Sequence, residues 1–287
     1  MLSLKALRRR IASIRSTQQI TRAMKMVAAA RLRRAQERII EARPFADKMR
    51  EVLQSLSLRT DPEVHPLLAR REMKRVELVV ITTDRGLCGS FNQNVFRRVE
   101  RFFRENRPLH EEISLSLVGR KGLEYFRRRG ASIIRDYVNR FRDIDYEAAA
   151  TIGKDVIEDY TSEAVDGVFL VYNEFRSPLV QRIMIKELLP IEPIEAEPDY
   201  YPVEYIYEPS ADAILSELLP RYVEVQIYRA LLESVAGEHG ARMTAMDAAT
   251  ENAQDMIERL TLMYNKARQS AITKEMLEIV AGAEALR

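Results

Sequence analysis

LKALRRRIASIRSTQQITRAMKMVAAARLRRAQERIIEARPFADKMREVLQSL, residues 4–56, decides the fold. Alternating steps of three and four from Leu4 reach Leu7, Ile11, Ile14, Gln18, Thr21, Lys25, Ala28 and onward to Leu56. Thirteen of these sixteen positions are apolar. A repeat of 3.5 residues held over so many turns marks a left-handed coiled-coil seam, whereas an ordinary globular helix shows a broader face of period 3.6. Pro44 removes one backbone hydrogen bond and predicts a local kink.

The same period returns at the other end, from Leu215 through Tyr222, Val225, Ala236, Met246, Thr250, Ala253, Ile257 and Leu260 to Ala271. At ~1.5 Å per residue, helices over 1–58 and 210–285 would be roughly 87 Å and roughly 114 Å long, several times a typical globular helix. A middle of about 150 residues cannot bury either seam along such a length. The economical arrangement is an antiparallel two-helix coiled coil formed by the N- and C-terminal helices. The domains are then an N-terminal helix (1–60), an α/β domain (74–195), a linker (196–209) and a C-terminal helix (210–287).

The middle alternates strand and helix signals. VELVVITT (76–83), ISLSLV (113–118), SIIRDYV (132–138) and DGVFLVYN (166–173) read as strands, with helices near 92–106, 120–129 and 145–164. An open, mostly parallel, Rossmann-like sheet follows. VQRIMIKEL (180–188), after the turn FRSPL, is expected to pair antiparallel with its predecessor. The proline-bearing segment 191–210 contains no lysine or arginine and suits a semi-rigid linker.

The formal net charge is only +2, yet the first 43 residues hold twelve basic side chains against Glu37 and Glu41. Such a segment suits an acidic partner surface, a membrane surface or a nucleic acid. Phe45 is the only aromatic residue in the first 60, so stacking on bases is not provided for, and an acidic protein surface is the better match. Cys88 is the single cysteine, which excludes an internal disulfide and a multi-cysteine zinc site and fits a reducing, cytosolic compartment. No apolar run approaches the roughly 20 residues of a membrane span, and the N-terminus shows no signal-peptide cleavage pattern.

TTDRGLCGSFN (82–92) stands where α/β proteins often hold a phosphate, but it offers only Gly86 and Gly89 and no lysine at the helix start. A structural turn, with Asp84 or Ser90 capping backbone donors, is the favoured reading. His65, His110 and His239 stand apart from one another and from metal-ligand spacing, and no catalytic constellation assembles. No cofactor or metal site is expected.

Around the last turns, Ile272, Met276, Leu277, Ile279, Val280 and Ala283 spread apolar surface over most of the cylinder. A helix of that kind is normally buried, so this tip is expected inside a sleeve made by other subunits, with a tip folded back on the middle domain as the alternative. The polar break at Gln18, Thr21 and Lys25, beside Met24 and Met26, reads as a less tightly zipped place open to an outside partner.

IASIRSTQQITRAMKMVAAARLRRAQ (11–36), TTDRGLCGSFNQNV (82–95) and ARMTAMDAATENAQDMIERLTLMYNKARQSAITKEMLEIVAGAEAL (241–286) resemble the gamma subunit of the F-type ATP synthase, bacterial in length. That resemblance implies a non-catalytic rotor shaft, one copy per complex, inside a hexamer of three alpha and three beta subunits. It further implies contact with an epsilon subunit and the proton-driven membrane ring, no nucleic acid, and a place on the cytoplasmic face of the bacterial inner membrane. Carried over by position, contacts to alpha and beta fall at Arg9, Met24, Lys25, Arg33, Arg34, Arg242, Asn252, Gln254, Gln269, Thr273 and Glu275. Contacts to epsilon and the ring fall at Tyr205, Tyr207 and Glu208. The residues themselves also leave open a coiled-coil nucleic-acid-binding or scaffold protein with a ligand-binding α/β domain, which would show salt-dependent affinity for DNA or RNA.

Overall fold

The computed structural model describes residues 3–57, 65–139, 144–192 and 210–284. Its elements are α1 (Leu4–Ser57), β1 (Arg75–Ile81), α2 (Phe91–Asn106), β2 (Glu112–Val118), α3 (Arg120–Arg127), β3 (Ile133–Tyr137), α4 (Tyr146–Thr161), β4 (Gly167–Phe175), β5 (Gln181–Leu189) and α5 (Ala211–Glu284). Two compact units divide the chain, residues 1–28 with 242–287 and residues 29–241. Helix α1 continues through Pro44 and α5 through Pro220, so both prolines are absorbed within helices.

In the larger unit the sheet order is β3-β2-β1-β4-β5. Strands β1, β2, β3 and β4 pair in parallel and β5 closes the edge antiparallel to β4, as the sequence pattern requires. Central β1 is buried on both faces. Its Val76, Leu78 and Val80 pack with Val95, Val99 and Phe102 of α2 and Phe126 of α3. Val79 and Ile81 share the opposite layer with Ile152 and Val156 of α4 and with Leu53, Leu56, Leu219 and Val223 of the long helices. Burying each such side chain contributes about 1.5–3 kcal/mol, so the two seams are held here by the sheet as well as by each other.

One charged residue interrupts β1. Glu77 is 1% exposed, opposite Ser114 in the β1–β2 register, and one of its carboxylate oxygens has no hydrogen-bond partner. Burial pushes its carboxyl above the ordinary range, while Ser116 and the Arg135 guanidinium pull the other way. Arg135 itself is engaged by Asp159, and Tyr137 donates to Asp155 at 2.7 Å, so α4 is fastened to the sheet edge by a partly buried polar cluster.

The loop after β1 is tied down by its own side chains. Thr82 Oγ1 donates to the Val118 carbonyl at 2.8 Å and accepts from the Gly122 amide at 2.9 Å. Asp84 Oδ1 accepts from the backbone amides of Arg120 and Asn139, both at 3.0 Å, so it caps α3 and the turn after β3. Ser90, the other expected cap, makes no side-chain cap bond to α2. An anion approaching this end of the sheet would meet the Asp84 carboxylate already on those donors, which supports a structural turn over a phosphate cradle. Gly119 is required here: its φ is +93°, and a Cβ would lie 2.3 Å from the Thr82 carbonyl oxygen.

Candidate functional site

The smaller unit pairs the first turns of α1 with the last long stretch of α5. Small and apolar residues close the seam, with Leu7, Ala28, Met246, Ala253, Ile257 and Leu260 all buried. Between them the polar seam positions find partners across the pair. Gln18 Nε2 donates to Gln254 Oε1 at 2.9 Å. The hydroxyls of Thr21 and Thr250 lie 2.8 Å apart, and Lys25 Nζ is 2.5 Å from Asp247 Oδ1. Arg8 donates to the Tyr264 hydroxyl at 2.7 Å. Ascending positions on α1 meet descending positions on α5, which makes the pairing antiparallel.

The ladder corrects the expectation that Gln18, Thr21 and Lys25 loosen the seam. Thr21 is 8% exposed, and its hydroxyl also reaches the Gln18 carbonyl at 3.0 Å, while Thr250 reaches the Met246 carbonyl at 2.7 Å. Polar layers of this kind fix register, because a slip would forfeit the bonds across the pair and set these polar side chains against apolar ones. The Lys25–Asp247 pair is half exposed and contributes little to stability, on the order of 1 kcal/mol or less.

Beyond the ladder, α5 has no comparable cover. Every described side chain from Ile272 to Ala283 is exposed, Ile279 at 71%. Further apolar side chains face outward on both helices of this unit, among them Ile20, Met26, Val27, Leu262 and Met263. A free chain hides none of this surface, and contiguous exposed apolar surface marks an interface.

The residues carried over by resemblance occupy varied settings. Lys25 and Gln254 are brought into the ladder, and Gln254 also donates to Glu258 at 2.7 Å. Arg9, Asn252, Gln269, Thr273 and Glu275 are exposed in the same unit, while Met24 and Arg242 are half-buried. Arg33 and Arg34 are exposed in the larger unit, Arg33 with Glu37 at 3.2 Å. Tyr205, Tyr207 and Glu208, with the linker 196–209, lie outside the described residues. Sequence reading missed Asp247 and Tyr264 as partners. The period alone leaves the register of an antiparallel pair open, and Asp247 lies off the seam positions.

Among the described residues no group of histidine, cysteine and carboxylate side chains has metal-binding arrangement, and no helix is long and apolar enough to cross a membrane.

Comparison with known proteins agrees with this architecture. The ATP synthase family model matches residues 3–286. The ATP synthase gamma chain of Trichlorobacter lovleyi is 51% identical over 288 residues, and that of Pelotomaculum thermopropionicum 54% identical over 286, each covering 100% of both chains. Among solved structures, the central stalk with c-ring of the Tetrahymena thermophila mitochondrial ATP synthase superposes with a TM-score of 0.62 at 28% identity, covering 80% of this chain and 99% of that one. The rotor of the Euglena gracilis mitochondrial ATP synthase shares the fold, with a TM-score of 0.68 at 19% identity over 94% of this chain and 98% of that one. Two long helices joined by a mixed α/β sheet, matched from end to end by these relatives, place the chain in the ATP synthase gamma chain family.

Proposed function

We propose that the paired helices of this chain are the central rotor shaft of a bacterial ATP synthase, turning within three alpha and three beta subunits and carrying no catalytic site of its own. The observation that carries the reading is the run Ile272–Ala283, apolar on most sides and exposed throughout, at the end of a pair whose register is locked by polar layers. An apolar end supports a bearing in a sleeve, because non-directional contact tolerates rotation where a fixed set of hydrogen bonds would stall it.

Arg9, Met24, Lys25, Arg33 and Arg34 then face acidic elements of beta, and Arg242, Asn252, Gln254, Gln269, Thr273 and Glu275 supply polar contacts to alpha and beta. The α/β domain, with Tyr205, Tyr207 and Glu208, forms the foot toward epsilon and the membrane ring. The complex works at the cytoplasmic face of the bacterial inner membrane, which this chain reaches as a peripheral subunit. No cofactor is assigned to the chain. Exposure of Arg9, Arg33 and Arg34, on a segment whose first 44 residues hold no aromatic side chain, supports a protein partner over nucleic acid.

Co-expression with the host's alpha and beta subunits, followed by purification through a tag on beta, tests the reading. One copy of this chain per three beta subunits, with raised ATP hydrolysis, is expected. Exclusion of the chain from the alpha–beta assembly would contradict it.

A further inference from the structure

We propose that the arginine-rich outer face of α2 and α3 is a docking surface for a layer of anionic lipid headgroups. On α2, Arg97, Arg101 and Arg104 form a stripe directly opposite the buried Val95, Val99 and Phe102, and all three are exposed. Helix α3 lies beside it, with Phe96 stacked on Tyr125 at 4.0 Å and edge-on to Phe126 at 5.7 Å, and brings the exposed Arg127, Arg128 and Arg129 into the same layer.

The acids of this layer do not neutralise it. Glu100 is held by the Tyr125 hydroxyl at 2.7 Å and by Arg129 at 3.2 Å. Glu124 is held by Lys121 at 2.8 Å, and Glu105 lies 3.8 Å from Arg98. Among the described residues, Arg97, Arg101, Arg104 and Arg128 enter no ion pair. Arg127 lies 3.9 Å from Asp136, and with these pairs counted a net positive field remains over two helices that the fold otherwise uses only for their inner faces.

Two features favour a lipid layer over nucleic acid. The aromatic rings of this layer are engaged with each other and with Arg129, which sits 3.6 Å over the Tyr125 ring, so none is offered to a base. Past the end of α2, Leu109 is 71% exposed and supplies an apolar side chain to enter the headgroup region. The choice of membrane also rests on the rotor reading, which puts the foot beside a membrane ring. A fluid leaflet suits a turning subunit, since diffuse attraction to mobile headgroups has no preferred angle.

The test is flotation of the purified full-length chain with phosphatidylcholine vesicles, with and without phosphatidylglycerol. Binding to the phosphatidylglycerol vesicles alone is expected, weakened about tenfold or more by high salt. Combined Arg97→Gln, Arg101→Gln and Arg104→Gln should weaken it about tenfold or more, and the Arg→Lys triple should retain it, because a diffuse field needs charge and not guanidinium geometry. An Arg9→Gln, Arg33→Gln and Arg34→Gln chain should stay within about threefold of the parent. Unchanged binding by the α2 glutamine triple, or loss confined to the α1 triple, overturns the proposal. So does binding to a DNA duplex, lost in the α2 triple, with none to either vesicle. Failure to assemble with alpha and beta would overturn the rotor reading instead and is read separately, in the tag purification.

Discussion

Thr21 and Thr250 face each other across the α1–α5 seam with their hydroxyl oxygens 2.8 Å apart, each also within reach of a carbonyl on its own helix. The two hydroxyls carry two protons for three oxygen–oxygen contacts, so each proton has an acceptor whichever residue donates across the seam. This layer sets which turn of α1 lies against which turn of α5.

Replacing both threonines by valine should therefore cost less than the two single changes together. Thermal unfolding of Thr21→Val, Thr250→Val and the double variant should give a coupling of about 0.5–1.5 kcal/mol. Strictly additive effects would show that the hydroxyls do not act as a pair.

Gly119→Ala should destabilise the larger unit by roughly 2–5 kcal/mol, because it combines a left-handed backbone with a clash against the Thr82 carbonyl. Gly86, with no atom within 4 Å of an added Cβ and no left-handed φ, should accept alanine within ~0.5 kcal/mol. Similar melting losses in the two variants would contradict the geometry of this turn.

Glu77 should make stability fall with rising pH. Its folded carboxyl titrates above the unfolded value near 4.5, so the folded state favours the protonated form. Stability is greatest below the unfolded value and declines as pH rises through the raised folded one. Glu77→Gln should match the parent near about pH 4 and exceed it near about pH 8 by roughly 1 kcal/mol or more. Parallel melting curves for the two chains across that range would remove Glu77 as the cause.

The apolar end of α5 separates folding from assembly. Ile279→Ser with Val280→Ser should leave the melting of the free chain within ~0.5 kcal/mol, since both side chains are already exposed. In the alpha–beta complex the same variant should lower ATP-driven turnover. A large loss in the free chain would mean that the chain itself covers the tip.

Arg242→Ala should weaken coupled synthesis only partly, because many modest contacts share the load along a rotating surface. Abolished synthesis in an intact complex would show that one contact dominates. ATP synthesis by membranes carrying the variant reads this directly.

Much of this was legible in residues 4–56 and 215–271, where period 3.5 can be satisfied only by a long partner helix, and in VELVVI, whose apolar run, broken only by Glu77, requires cover on both faces. The meaning of Gln18, Thr21 and Lys25 was not. A polar residue in a seam looks like a weakness until its partner is known, and here the partner lies more than 220 residues away in the chain. Asp84 was read correctly as a cap, but its donors belong to α3 and the turn after β3, which only the parallel order of the sheet brings to it. The arginine stripe of α2 was likewise hidden, since its net positive field depends on α3 lying alongside.

The most direct measurement of the central claim is rotation. An alpha–beta hexamer containing this chain would be fixed to a surface, with a visible probe attached to the α/β domain, and supplied with ATP. Rotation in one direction with three steps per turn, one for each beta subunit, is expected. ATP hydrolysis by the assembled complex with a stationary probe would contradict it.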